Sequence, residues 1–202
     1  MSTRRLEAFS DGVMAIIITI MVLELKSPHG DKLADLRPLL PAFFSYVLSF
    51  IYVGIYWNNH HHLLHACTLV TGAMLWTNLN LLFWLSLLPF ATSWMGENHF
   101  TAFPTALYGL ILFMAALAYY FLQQASVRAQ GPKSTLRRAI GRDWKGKASP
   151  VLYCIAIASS LRYPRSAQAL YVLAALMWLI PDRRIEKRLH VSAGVMVGSE
   201  SE

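Results

Sequence analysis

The sequence predicts an all-α polytopic membrane protein with six transmembrane helices per subunit, and three observations lead to that class. The first is a set of uncharged runs, from Pro38 to Asn59, from Ala66 to Gly96 and from Phe100 to Val127. Each meets or exceeds the roughly 20 residues that cross ~30 Å of hydrocarbon. The second is composition: of 202 residues, 55% are hydrophobic and 14% charged, against about 25% charged in an ordinary soluble domain. A soluble enzyme and a disordered chain are thereby excluded. Cys67 and Cys154 lie in or beside apolar helices and give no disulfide framework, so both are expected to be small core residues.

The third observation is where the charge falls. Basic clusters at Arg4 and Arg5, from Arg128 to Lys147 and from Arg183 to Arg188 hold 13 of the 18 Lys and Arg, and such segments stay on the cytoplasmic side. Lys26, Lys32, Arg37, Arg162 and Arg165, partly offset by Glu24, Asp31 and Asp35, mark external loops. Both termini are then cytoplasmic and the number of crossings is even. The net charge of +7 is read as this topology signal, with the lipid bilayer and not nucleic acid as the partner.

Taken in order, the first helix is expected from about Thr3 to Leu25. Two arginines before the uncharged run from Gly12 to Leu23 imitate a signal peptide. Glu7 and Asp11 interrupt the leading region, however, and Glu24 and Lys26 stand where a small-residue cleavage site would be. The next three helices are expected over about Leu39 to His62, Leu69 to Trp94 and Phe100 to Gln124. A final short pair covers Ala148 to Leu161 and Ser166 to Ile180, with Ser149 and Pro150 as a cap and first helical residue, and with Pro181 and Asp182 as the stop. Residues 1–190 form one transmembrane domain, and residues 191–202, which carry no pattern, a flexible cytoplasmic tail. Tyr52, Tyr56, Trp57, Trp94, Tyr119 and Tyr120 are assigned to helix ends at the interface.

The first helix carries the most chemistry. Arg5, Glu7 and Asp11 sit within about two turns of its apolar run, and charges at membrane depth face a bundle or a wet cavity. Arg5 and Asp11 point about 120° apart at ~100° per residue, so their partners come from another helix or another subunit. The same periodicity puts Arg5, Phe9, Gly12, Ile16, Thr19, Ile20 and Leu23 on one stripe. An apolar stripe alone signifies only a packing face.

Arg5 to Ile16 reads RLEAFSDGVMAI, and it is accompanied by YWNNHHH at Tyr56 to His62, by Asn78 and Asn80, and by LPFATSW at Leu88 to Trp94. These segments resemble the transmembrane protein 175 family, whose bacterial members carry R-x-x-x-F-S-D-G-V near the start of the first helix. The resemblance covers roughly the first half of the chain. It implies a cation channel favouring potassium, four subunits around one pore and the first helix of each lining it, in the bacterial inner membrane. It places the hydrophobic constriction at Ile16, with further pore layers at Thr19, Ile20 and Leu23. It also implies a polar network of Arg5, Ser10 and Asp11 with a histidine from the second helix, His60 or else His61. The permeant ion would be potassium, with other monovalent cations, and no cofactor is expected. No TVGYG-like segment is present to supply a carbonyl filter.

The competing reading is a histidine-dependent metal or proton transporter. His61 and His65, at i and i+4, are spaced to chelate zinc or nickel, with His60 or His62 adding a nitrogen. No Asp or Glu lies near them in sequence to complete such a site.

Overall fold

The computed structural model describes residues 2–131, 136 and 144–179. The expected basic cluster from Arg183, the stop at Pro181 and the tail at 191–202 lie outside the described residues, as does most of the basic segment at 132–143. Helix α1 spans Thr3–Leu23 and a 3₁₀ segment, Leu33–Leu39, leads into α2, Leu40–His65. Helices α3, Gly72–Ser86, and α4, Leu88–Glu97, form a broken rod, followed by α5, Ala102–Gln130. The last two are α6, Trp144–Ser160, and α7, Pro164–Leu179.

Four stretches among the described residues are long and apolar enough to cross a membrane: Thr3–Leu23, Leu33–His65, Gly72–Glu97 and Ala102–Gln130. The expectation of six spans is therefore corrected to four. At 1.5 Å per residue the 17 residues of α6 and the 16 of α7 reach only about 24–26 Å, short of a ~30 Å hydrocarbon slab.

Local chemistry sets the remaining boundaries. Thr71 caps α3 by accepting from the Met74 amide at 3.4 Å. The expected single helix from Leu69 to Trp94 breaks at Leu87, because Pro89 lacks an amide hydrogen and instead occupies the first turn of α4. Gly131, at φ +81°, ends α5 in a conformation that side chains disfavour. Ser149 and Pro150 do not start α6: the helix already runs from Trp144, and Pro150 lies within it. The Ser149 hydroxyl accepts from the Trp178 indole at 2.7 Å, joining α6 to α7.

Helix α1 lies at the margin of the bundle, packed on α2, α3 and α4, whereas α5 is central and contacts α3, α4, α6 and α7. The core holds Leu64, Met74, Leu81, Leu85, Leu88, Leu112 and Leu122 together with a tyrosine cluster. Tyr52 and Tyr56 belong to that core and not to the interface. The Tyr52 hydroxyl donates to the Tyr171 carbonyl at 2.7 Å, and the Tyr171 hydroxyl to the Thr105 carbonyl at 3.1 Å. Ser49 ties α2 to Thr92 of α4 at 2.7 Å and to Tyr108 of α5 at 3.0 Å. The hydroxyls of Ser49, Tyr52 and Tyr171 are thus provided for, as an apolar medium requires, whereas those of Thr105 and Ser126 are buried without a partner among the described residues. Cys67 is buried as expected, but Cys154 is exposed, and both are free thiols.

At the far end of α1 from Arg5, Lys26 Nζ meets Glu97 Oε1 at 2.6 Å, and the carboxylate raises the pKa of the ammonium. Ser93 donates to Glu24 Oε2 at 3.3 Å. Close approach of α4 to α2 rests on Gly96, where an added Cβ would stand 2.6 Å from Ala42 Cα. Gly96→Ala is therefore expected to destabilise the fold by about 1–3 kcal/mol, the usual range for overpacking. Gly54→Ala, with nothing within 4 Å of the added carbon, leaves stability unchanged or improves it. Thermal melting of the two variants in the same detergent checks this, and equal melting temperatures contradict it.

Candidate functional site

Helix α1 has two unlike faces. Leu6, Ser10, Met14, Ile17 and Met21, spaced four, four, three and four apart, are buried against the bundle. Arg5, Phe9, Gly12, Ile16, Thr19, Ile20 and Leu23 are all exposed. The contrast is sharp between neighbours, with Ile16 60% exposed and Ile17 2%. Thr19 donates its hydroxyl to the Ala15 carbonyl at 2.9 Å, which satisfies its proton and leaves the oxygen lone pairs on the exposed side.

The buried face is fixed by a polar chain across three helices. Ser10 Oγ donates to the Leu6 carbonyl at 2.9 Å and accepts from Asn78 Nδ2 at 3.0 Å. Asn78 Oδ1 lies 2.7 Å from His60 Nε2. The order follows from proton count. Ser10 has one proton and gives it to Leu6, so the amide must donate to Ser10 and turn its oxygen to His60, which carries its proton on Nε2. His60, Asn78 and Ser10 are fully buried, and His60 Nδ1 has no partner among the described residues.

A second set lies nearer the surface at the same end. His61 Nδ1 meets Glu7 Oε1 at 2.6 Å, and the Trp57 indole donates to Asp11 Oδ1 at 3.1 Å. Trp57 stacks on His61 at 6.2 Å between centroids, and His61 on His65 at 5.9 Å and 17°. Glu7 and Asp11 are four apart on α1, as are Trp57 and His61 on α2, and the two helices run antiparallel, so the pairs form rungs of one ladder.

The residues expected to form one polar network are therefore divided. Ser10 and His60 meet only through Asn78. Asp11 and His61 belong to the ladder with Trp57 and Glu7, and Arg5 is exposed with no hydrogen bond or ion pair among the described residues. Arg5 and Asp11 do not pair within the chain. Sequence reasoning missed Asn78 as the bridge and Glu7 and Trp57 as partners; the matched i, i+4 spacings were the available signal. For the metal reading, no group of three or more His, Cys, Asp or Glu among the described residues could hold an ion. His61 is engaged by Glu7, and its ring lies parallel to that of His65 instead of converging with it on one point.

Comparison with known proteins places the molecule. Residues 5–89 match the family described as endosomal/lysosomal potassium channel TMEM175. A potassium channel of Chryseobacterium sp. (strain P1-3) is 56% identical over 189 residues, covering 94% of this chain and 98% of the relative. The chain belongs to the TMEM175 family. The crystal structure of a lysosomal potassium-selective channel TMEM175 homolog from Chamaesiphon minutus superposes with TM-score 0.78 at 26% identity, covering 88% of this chain and 96% of the other. The endosomal/lysosomal proton channel TMEM175 of Homo sapiens is 35% identical over 86 residues, 37% of this chain but 17% of the human protein. The TMEM175 chain is thus classed with channels and not with enzymes.

Asn78→Ala removes the bridge and leaves the buried His60 Nε2–H without an acceptor, at about 1–3 kcal/mol, while the Ser10 hydroxyl keeps its bond to Leu6. Asn80, which is exposed on the same helix, serves as control. Melting in detergent is expected to fall well below wild type for Asn78→Ala and to stay near it for Asn80→Ala; equal values contradict the assignment.

Proposed function

We propose that this chain is one subunit of a homotetrameric potassium-permeant channel whose pore is lined by the exposed stripe of α1. The observation that carries the reading is the division of α1: seven residues at helical spacing, from Arg5 to Leu23, are exposed while the intervening face is locked to the bundle. An exposed face bearing Arg5, Gly12 and Thr19 is ill suited to lipid, because a charge and unshielded small polar positions at membrane depth belong against protein or water. Membership of a family whose relatives are named potassium or proton channels supports the same conclusion.

The mechanism follows from the side chains. Four copies of Ile16 around an axis exclude water, and a cation that cannot keep its hydration does not pass. Turning the branched side chain aside needs only a small rotation or tilt of α1. Lacking a carbonyl filter, the pore would draw its preference for potassium from the ring of Thr19 oxygens, whose lone pairs are free because each proton is held by Ala15. Ile20 and Leu23 extend the apolar lining, and Arg5 and the second Asp11 oxygen face neighbouring copies. The N-terminus, the His60 to His65 end of α2 and the end of α5 at Arg128 would share the cytoplasmic side, in keeping with their charge.

Ile16→Asn is expected to raise the resting cation leak of proteoliposomes well above wild type, whereas Ile17→Asn, about 100° away on the buried face, impairs folding. Thr19→Val lowers potassium preference over sodium without opening the seal. Unchanged flux in properly assembled Ile16→Asn protein contradicts a pore on α1. Arg5→Ala is expected to lower the yield of oligomer, read by mass in gentle detergent, while helix content is kept. An undiminished tetramer would show that Arg5 makes no contact between subunits.

A further inference from the structure

Helices α3 and α5 bound an open groove of about 760 Å³, lined by Thr71, Ala73, Thr77, Tyr120, Phe121 and Arg128 among others. Its two walls are tied together by Gln130 at the end of α5. The Gln130 side-chain oxygen accepts from the Thr68 amide at 3.0 Å and from its hydroxyl at 2.8 Å, while Nε2 donates to the Leu69 carbonyl at 3.0 Å. These three bonds hold the start of α3 and the end of α5 at a set spacing, so the groove exists before anything enters it.

Its chemistry is polarised along the helix axis. Arg128 stands near the outer end, exposed and without a hydrogen bond or ion pair among the described residues, and no acidic side chain among the described residues lines the groove. Tyr120 and Phe121, themselves about half exposed, lie about two turns or ~12 Å deeper toward the middle of the membrane. A cation at headgroup depth above an apolar, aromatic-walled channel matches a molecule with an anionic head and an acyl tail.

We propose that the α3–α5 groove is a binding site for one anionic glycerophospholipid of the adjoining leaflet, its phosphate on Arg128 and an acyl chain along Ala73, Thr77 and Phe121. The guanidinium supplies the planar donor fork that a phosphate takes, and basic pockets between membrane helices are where such headgroups settle. The site is separate from the proposed pore and does not depend on ion conduction.

The test uses the full-length purified protein in detergent, titrated with phosphatidylglycerol or with phosphatidylcholine, with melting temperature and lipid retained in native mass spectra as readouts. Phosphatidylglycerol is expected to stabilise wild type more than phosphatidylcholine does. Arg128→Gln should lose most of that excess and retain phosphatidylglycerol about fivefold more weakly, the factor expected for one basic side chain at a headgroup. Arg128→Lys should keep part of it. Ala73→Trp, which fills the groove from an exposed position, should abolish the response to both lipids. Equal stabilisation by the two lipids, or an Arg128→Gln variant that keeps the full excess, overturns the proposal. So does an Ala73→Trp variant whose oligomer mass falls while its lipid response is unchanged, since the groove is then covered by a second copy of the chain.

Discussion

An amide buried among helices in a membrane has no water to fall back on, and the hydrogen bonds of Asn78 determine how α1 is oriented. Its side chain reaches Ser10 of α1 on one side and His60 of α2 on the other. Rotating α1 by even one residue would break the bond from Asn78 to Ser10 and leave the buried amide N–H without its acceptor in an apolar medium, a cost of about 1–3 kcal/mol. Met14, Ile17 and Met21 therefore stay inward, and the opposite stripe is presented outward along its whole length. The ladder of Glu7 with His61 and Asp11 with Trp57 reinforces the same register from the surface, though exposed pairs of this kind are worth little individually.

This arrangement separates two tasks on one helix. The inward face carries a directional chain of bonds and bulky apolar packing, which suits rigidity. The outward face carries mostly branched and small residues that make no side-chain hydrogen bond to another helix among the described residues, which suits the role proposed for it. At the other end of α1, the ion pair of Lys26 with Glu97 and the bond from Ser93 to Glu24 tie the helix to α4. A motion of α1 would therefore pivot between a buried anchor near Asn78 and an exposed, more yielding one near Glu97. The α3–α5 groove lies apart from both.

Much of this was legible in the sequence. The uncharged runs locate α1, α2, the α3–α4 rod and α5, because hydrocarbon thickness leaves few alternatives. Helical periodicity groups the residues of the stripe but does not show that the stripe is exposed, since an apolar face reads equally as a packing face. Less legible was the break at Leu87, for which Pro89 was the available sign, and the path of α6 through Pro150, where a proline that reads as a start is tolerated inside the helix. The final pair, short of spanning length already in the sequence, is nonetheless expected there as two spans, and the described helices leave only four stretches long and apolar enough to cross. The choice of Asn78 over Asn80 could not be read, because residues two apart on a helix point in nearly opposite directions and only packing selects between them. His60 and His61 likewise lie about 100° apart, so the run of histidines serves two different neighbours, one buried and one at the surface.

The central claim, that the outward stripe of α1 meets water and ions while its inward face does not, is tested most directly by cysteine accessibility in the conducting channel. Single cysteines at Phe9, Ile16, Thr19, Ile20 and Leu23, and at Met14, Ile17 and Met21, would be placed in a background with Cys154 replaced by serine. Each would be exposed to a charged, water-soluble thiol reagent during recording. The account predicts reaction and altered current at the first set with helical periodicity, and none at the second. Reaction without periodicity, or current unaffected at every position of the stripe, would contradict it.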